Sequence, residues 1–370
     1  MRTTGKFSGH RPKPTNTFRK IEAIDLFCGA GGLTRGLEKA GIDVAVGIDI
    51  DPACAYPYSA NNRAEFLLKS VADLSSSDLP NKKRVGNYRL LAGCAPCQPF
   101  SKYQQKLGPD DERWHLLAHF GRLAKEIRPD FITMENVPNL RKQAVFRSFV
   151  RNLKKLGYHV HFEVVHCADF GIPQQRQRLV LLASQLGEIT LVRPSRAPKT
   201  KTVRQAIAKL PAITAGQVYA KDPMHQSATL TALNLDRIRA SMPGGSWNDW
   251  DEELVAACHR RDTGKTYPGV YGRMEWDAPS PTITTQYFGF GNGRFGHPEQ
   301  DRALSLREGA ILQSFPKNYK FVKAGGPIHY RIVGRLIGNA VPVKLGEAIG
   351  RSIVKHARSH ERTSGRGIAA

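Results

Sequence analysis

Cys97 stands between Pro96 and Pro99 in the stretch Gly93-Cys94-Ala95-Pro96-Cys97-Gln98-Pro99-Phe100-Ser101, directly after the apolar run at 88–92. A strand that ends in a proline-stiffened loop presents its next side chains at the carboxyl edge of a sheet, where α/β proteins place their chemistry. Proline fixes its own φ and pushes the residue before it into an extended conformation, so Ala95 and Gln98 are kept out of helix. A thiol held on such a segment is a candidate nucleophile once ionised. Three other places carry residues of useful type. Glu135 lies just past the apolar run 131–134, and Arg176 and Arg178 lie just before the run 179–183. Gly338-Asn339-Ala340-Val341-Pro342-Val343 precedes a terminal helical pattern.

The elements that must position these residues alternate. Residues 21–27 read as a buried strand, 31–40 as a helix, 44–50 as a second strand and 90–92 as a later one. Residues 115–127 have apolar side chains at helical spacing; 131–134 is a strand, 146–156 a helix and 179–183 the last clear strand. Such alternation predicts an α/β fold with a doubly wound, mostly parallel sheet, Rossmann-like. Past about residue 184 the periodicity weakens and Pro, Gly, Arg, Trp and Tyr accumulate, which predicts a second, smaller, irregular domain. Order returns after Pro342, where Leu345, Ile349 and Ile353 recur every four residues and predict a helix that packs back on the first domain. The expected boundaries are a basic flexible tail at 1–20, a catalytic domain at 21–185, the irregular domain at 186–334, the returning segment at 335–358 and a flexible tail at 359–370.

Charge bears on the partner. The chain of 370 residues carries 55 Lys and Arg against 32 Asp and Glu, a formal +23, which favours a polyanion such as nucleic acid over an acidic lipid surface. Residues 1–20 alone hold six Lys and Arg and no acid. No apolar run is long enough to cross a bilayer and none near residue 1 reads as a secretory signal. Six cysteines without a dense framework point to a reducing compartment, so the expected location is cytoplasmic. Cys94 and Cys97 form a C-x-x-C, but no second cysteine pair accompanies it, so no metal is expected.

Asp25-Leu26-Phe27-Cys28-Gly29-Ala30-Gly31-Gly32-Leu33 is a strand running into a glycine turn and a helix. Glycines let backbone approach a ligand closely, and a helix N-terminus favours a carboxylate or phosphate. Asp49 follows Gly29 by twenty residues, where an acid can bind ribose hydroxyls, and Asp73 offers a possible further contact at an adenine ring. Position 34 is Thr where the dinucleotide pattern wants glycine, which argues against NAD and suits an adenosyl cofactor without a pyrophosphate. A tight strand–helix turn with no ligand is the plain alternative.

These motifs, in this order, resemble the DNA (cytosine-5) methyltransferases of bacterial and phage type, over residues 21 to about 354. The matching pieces are 25–32, Pro96-Cys97-Gln98 with Phe100-Ser101, Glu135-Asn136-Val137, 174–178, Arg307-Glu308 with 312–316, and Gly338-Asn339. The resemblance implies an S-adenosylmethionine pocket lined by Phe27, Gly29, Gly31, Leu33, Asp49, Ile50 and Asp73 and closed by Asn339 and Val341. It implies that Cys97 is the nucleophile, that Glu135 binds the cytosine, and that Arg178, with Arg176, contacts it. The irregular domain would be the target-recognition domain for double-stranded DNA, with Arg237, Arg239, Arg260, Arg261 and Arg273 as DNA contacts. Trp247, Trp250 and Trp276 would fill its core. Cys94 stands where the family more often has glycine and is expected to lie outside the chemistry. Cys28, Cys54, Cys167 and Cys258 are expected to be buried. A monomer is expected, with a cognate restriction endonuclease or another defence-system protein as possible partner.

The chemistry fits these residue types. Carbon 5 of cytosine is too electron-poor to attack a methyl sulfonium; a thiolate added at carbon 6 makes an enamine whose carbon 5 is nucleophilic. A carboxylic acid at N3 can take up the electron density, and nearby arginines favour the thiolate. The base must leave the stack to be reached, and residues 102–113 read as a loop able to close over it. An RNA cytosine-5 methyltransferase and a silent DNA-binding homologue are the rivals. The Cys-Phe-Thr element of the tRNA branch is absent, and the reactive residues are all retained.

Overall fold

The computed structural model describes residues 18–80, 86–96, 115–194 and 200–366. Cys97, the expected loop at 102–113 and the tail up to residue 17 lie outside the described residues. The chain opens with β1 (Ile21–Leu26), α1 (Gly32–Lys39), β2 (Asp43–Asp49), α2 (Ala55–Asn61) and β3 (Glu65–Leu68). It continues with β4 (Tyr88–Gly93), α3 (His115–Ile127), β5 (Phe131–Asn136), α4 (Ala144–Lys155), β6 (His159–His166) and β7 (Gln177–Ser184). Among the described residues these strands form a sheet of seven in the order β3-β2-β1-β4-β5-β7-β6. The expected doubly wound architecture is present. Strands β1 to β5 are parallel, and β7 runs antiparallel between β5 and β6. No crossover helix separates β6 from β7, so the two can pair only in opposite directions.

The central strands β4 and β5 are buried on both faces and read as apolar runs for that reason. Strands β3 and β6 escaped the sequence reading because they are edges. Each leaves most of its side chains exposed or only partly buried; β3 offers an apolar run of just three residues, Phe66 to Leu68, and in β6 His159, His161 and Glu163 interrupt any such run. On one face of the sheet α3 and α4 bury Phe120, Leu123, Phe146, Phe149 and Leu153. On the other, α9 (Val343–Arg366) lies along α1, and Leu345, Ile349, Ile353 and Ala357 join Leu33 and Leu37 in one core. The four-residue recurrence therefore does what it predicts. The helix continues past residue 358 to Arg366, so most of the expected terminal tail is helical.

Between β7 and α9 the described chain holds α5 (Val203–Ile207), α6 (Ala232–Ala240), α7 (Leu306–Leu312) and α8 (Tyr330–Asn339), joined by long irregular segments. Trp247, Trp250, Ile238 and Phe290 form a small core there, and Trp276 is half-buried beside a second one. That second core contains Ile283, Tyr287, Leu306, Leu312, Phe315, Tyr319 and Leu336, but also Ala30 and Cys54 from the first domain. Residues after about 306 thus pack on the glycine turn rather than forming part of a separate body, which moves the expected boundary at 334.

Irregular backbone leaves carbonyls that no ladder satisfies, and here buried arginines supply the donors. Arg273 donates to the carbonyls of Ile238, Ser241, His297 and Gln300 and pairs with Asp301. Arg237 donates to the Leu254 carbonyl and lies over the rings of Trp250 and Tyr271. Neither can reach DNA, so two of the five arginines expected as DNA contacts are internal braces. Arg239, Arg260 and Arg261 are exposed. Cys258 is likewise exposed rather than buried.

Arg302 is the most enclosed of these braces. Its guanidinium meets both oxygens of Glu308 at 2.8 and 2.7 Å, with both side chains essentially sealed from solvent. Ser305 caps α7 through the same carboxylate, its N–H donating to Glu308 Oε2 at 2.7 Å. Burial pushes the Glu308 carboxyl up, but Arg302 outweighs it and holds the group at about 2. Removing one partner strands a charge, so Arg302→Ala and Glu308→Ala should each cost about 3–5 kcal/mol in urea unfolding. The double variant should lose less than the sum of the two. Single variants within about 1 kcal/mol of the wild type would contradict the assignment.

Candidate active site

Strand register builds the reactive centre. Gly93 of β4 pairs with Met134 of β5, which sets Cys94 beside Glu135. Glu135 pairs with Val180 of β7 across the antiparallel boundary, so Arg178, two residues earlier, leans toward it from the same face. Glu135 is buried to 3% exposure. The Arg178 Nε lies 2.9 Å from Oε1, a pairing by charge, because among the described residues Oε1 has no aligned hydrogen-bond donor. The Cys94 thiol donates to Oε2 at 3.1 Å. Asn136, the next residue of β5, donates from Nδ2 to the Ala95 carbonyl at 3.0 Å and ties the start of the Cys97 loop to the strand.

Arg176 is placed differently from Arg178. Its guanidinium donates to the carbonyls of Ile283 at 2.9 Å and Gly338 at 3.1 Å, joining β7 to the segment 281–284 and to the end of α8. Its Nε is buried without a hydrogen-bond partner. Burial, with Arg178 close by, pulls Arg176 down to about 9, still protonated at neutral pH. Gln174 and Gln313 complete the joint. Gln174 Oε1 accepts from Ile283 N–H, its Nε2 donates to Gln313 Oε1, and Gln313 Nε2 donates to the Ile337 carbonyl.

The second half of the site lies at the carboxyl ends of β1 and β2. Phe27 and Gly29 take left-handed φ of 57° and 54°, and α1 begins at an N-cap without a side-chain cap. A left-handed non-glycine residue is uncommon and clusters at ligand clamps. A Cβ built on Gly29 meets nothing within 4 Å, so the turn faces open space. Asp49 holds the turn in place, accepting from Gly29 N–H and Asp51 N–H at 2.9 Å each. The turn is closed from the far end of the chain. The Val341 carbonyl lies so close to Gly32 that a Cβ there would sit 2.3 Å from it, and the Tyr319 hydroxyl donates to the Ala30 carbonyl at 2.5 Å.

Residues 21–355 match the family described as C-5 cytosine-specific DNA methylase. The chain is 50% identical to the type II methylase M.HgiDII of Herpetosiphon aurantiacus, over 92% of this chain and 97% of that one. It is 33% identical to the type II methyltransferase M.Eco47II of Escherichia coli, over 94% and 82%. The chain belongs to the C-5 cytosine-specific DNA methylases. It is a DNA (cytosine-5-)-methyltransferase, of a family that uses S-adenosylmethionine as methyl donor. Its fold is similar to that of the S. pombe Dnmt2 methyltransferase, at TM-score 0.59 and 16% identity over 92% of this chain and 99% of that one.

The glycine turn of this methylase fits such a donor. The open face of Gly29 and the uncapped start of α1 suit a carboxylate, and Asp49 and the exposed Asp73 are acceptors for hydroxyl and amino groups. Ile50 at the end of β2 is 69% exposed, an apolar side chain left for a flat ring to cover. Leu33 and Val341 are exceptions, since both side chains sit in the core. Asn339 is exposed at the end of α8.

Sequence reasoning missed two neighbours. The C-x-x-C signalled Cys94, but without the β4–β5 register nothing tied it to Glu135. Asp25 opens the glycine-turn motif, and nothing in the sequence marks its burial. It is fully buried, Thr34 Oγ1 donates to its Oδ2 at 2.6 Å, and Oδ1 has no partner. Burial pushes its carboxyl up to about 7. A raised folded-state value means stability is fully present in acid and is lost as pH rises from about 4 through 7. Asp25→Asn keeps the shape without the titration. Its unfolding free energy relative to wild type should therefore rise by roughly 2–3 kcal/mol between pH 5 and pH 8. A pH-independent difference would show that the carboxyl does not titrate in this window.

Proposed function

We propose that this enzyme methylates carbon 5 of a cytosine flipped out of double-stranded DNA, with Cys97 adding to carbon 6. The observation that carries the reading is the buried Glu135 carboxylate. It is held between β4 and β7, is paired with Arg178, and keeps Oε1 without an aligned donor. A buried carboxyl oxygen with a charge partner but no aligned donor, at a strand's carboxyl end, suits a hydrogen bond with a bound base.

In this reading the Cys97 thiolate forms a carbon–sulfur bond at carbon 6 while electron density moves toward carbon 5 and N3. Glu135 hydrogen-bonds the ring at N3 and so absorbs that density. Arg178 stays on the Glu135 side of the pocket and fixes the carboxyl as the base arrives. Arg176 holds segment 281–284 and the end of α8 against β7, so that the reactive residues and the recognition region keep one geometry. S-adenosylmethionine would be held by Phe27, Gly29, Gly31, Asp49, Ile50 and Asp73, with the backbone of Leu33 and Val341 and with Asn339 at the rim, and it supplies an electrophilic methyl group. Afterwards a base removes the carbon 5 proton and the thiolate leaves.

The region between β7 and α7 is proposed to read the DNA sequence, with Arg239, Arg260 and Arg261 as its exposed cations. The relatives named as type II methylases favour a modification enzyme, and the proposal extends to a monomer that works in the cytoplasm beside a restriction endonuclease. Among the described residues no helix is long and apolar enough to cross a membrane. Cys97→Ser should abolish transfer of labelled methyl groups to duplex DNA with the melting temperature unchanged. Glu135→Gln should slow transfer about 10²- to 10⁴-fold. Full activity in either variant would defeat the mechanism, and methylation of tRNA in preference to duplex DNA would replace the substrate.

A further inference from the structure

The Cys94 thiol is a built part of the centre. Its backbone N–H donates to the Leu26 carbonyl at 3.3 Å, and the next carbonyl, of Ala95, is held by Asn136 Nδ2 at 3.0 Å. With the backbone fixed on both sides, the half-buried thiol points at Glu135 and donates to Oε2 at 3.1 Å. The two carboxylate oxygens are thereby made different. Among the described residues Oε2 has a hydrogen-bond donor in Cys94, whereas Oε1 has the misaligned charge of Arg178 and no hydrogen bond. A glycine at position 94 would leave Oε2 without that donor.

We infer that Cys94 is a positioning residue, which holds Glu135 through Oε2 so that Oε1 is the oxygen presented to the base. The inference rests on the reading of Glu135 given above. No bond is made or broken at the thiol. It orients the carboxyl, and its contribution is that of one hydrogen bond to a charged group in a partly enclosed site. Serine can replace it, because a hydroxyl donates to a carboxylate at least as well as a thiol does. Alanine and glycine cannot.

The test is single-turnover methyl transfer to duplex DNA by Cys94→Ala, Cys94→Ser, Glu135→Gln and the double variant Cys94→Ala/Glu135→Gln. Thermal melting of each confirms that it is folded. Cys94→Ala should be slower by about three- to tenfold with DNA affinity unchanged, and Cys94→Ser should stay within about twofold of wild type. In the Glu135→Gln background Cys94→Ala should change the rate by less than about twofold, because the residue through which it acts has been altered. An equal loss in both backgrounds would overturn the inference, as would a serine variant as slow as the alanine one or an alanine variant at the wild-type rate. If Glu135→Gln itself is fully active, the reading of Glu135 fails first.

Discussion

The register of three strands, β4 against β5 and β5 against β7, is the constraint on which the centre depends. Parallel pairing brings Cys94 alongside Glu135, and the reversal at β7 brings Arg178 to it from the opposite side. A one-residue slip in either pairing would turn the carboxylate to the other face of the sheet. Burial on both faces of β4 and β5 makes such a slip costly, so the site takes its precision from the core beneath it.

A second constraint joins the ends of the chain. The glycine turn that follows β1 is held by Tyr319 and Val341, nearly three hundred residues away in sequence. Arg335 of α8 adds an ion pair to Asp51, just past β2, at 2.6 Å. The irregular region is thus strung between two fixed points, β7 on one side and α7 to α9 on the other. Gln174, Arg176 and Gln313 form the joint between them.

Most of the sheet was legible because buried parallel strands and amphipathic helices write their period into the sequence, as α3 and the start of α9 do. The edges β3 and β6 were not, since β3 is only four residues long and the half-solvated β6 is broken up by histidines and a glutamate. The motif order singled out Glu135 and Arg178, which the fold places 2.9 Å apart, and the glycine turn, with its left-handed Phe27 and Gly29. What could not be read is which arginines are internal. Arg237 and Arg273 look like surface cations until the irregular backbone shows how many carbonyls need donors. Arg176 and Arg178 are two positions apart in sequence, yet one braces backbone and the other pairs with Glu135. Cys94 became informative only through its distance to the carboxylate.

The claim at the centre of this account is that Cys97 bonds to the target base. Duplex DNA with 5-fluorocytosine at the target position tests it directly, because fluorine cannot leave as a proton does and the adduct is trapped. Incubation with S-adenosylmethionine, proteolysis and mass spectrometry should find the modified nucleotide on the peptide that carries Cys97. An active enzyme that leaves no adduct, or one whose adduct maps to another residue such as Cys94, would contradict it.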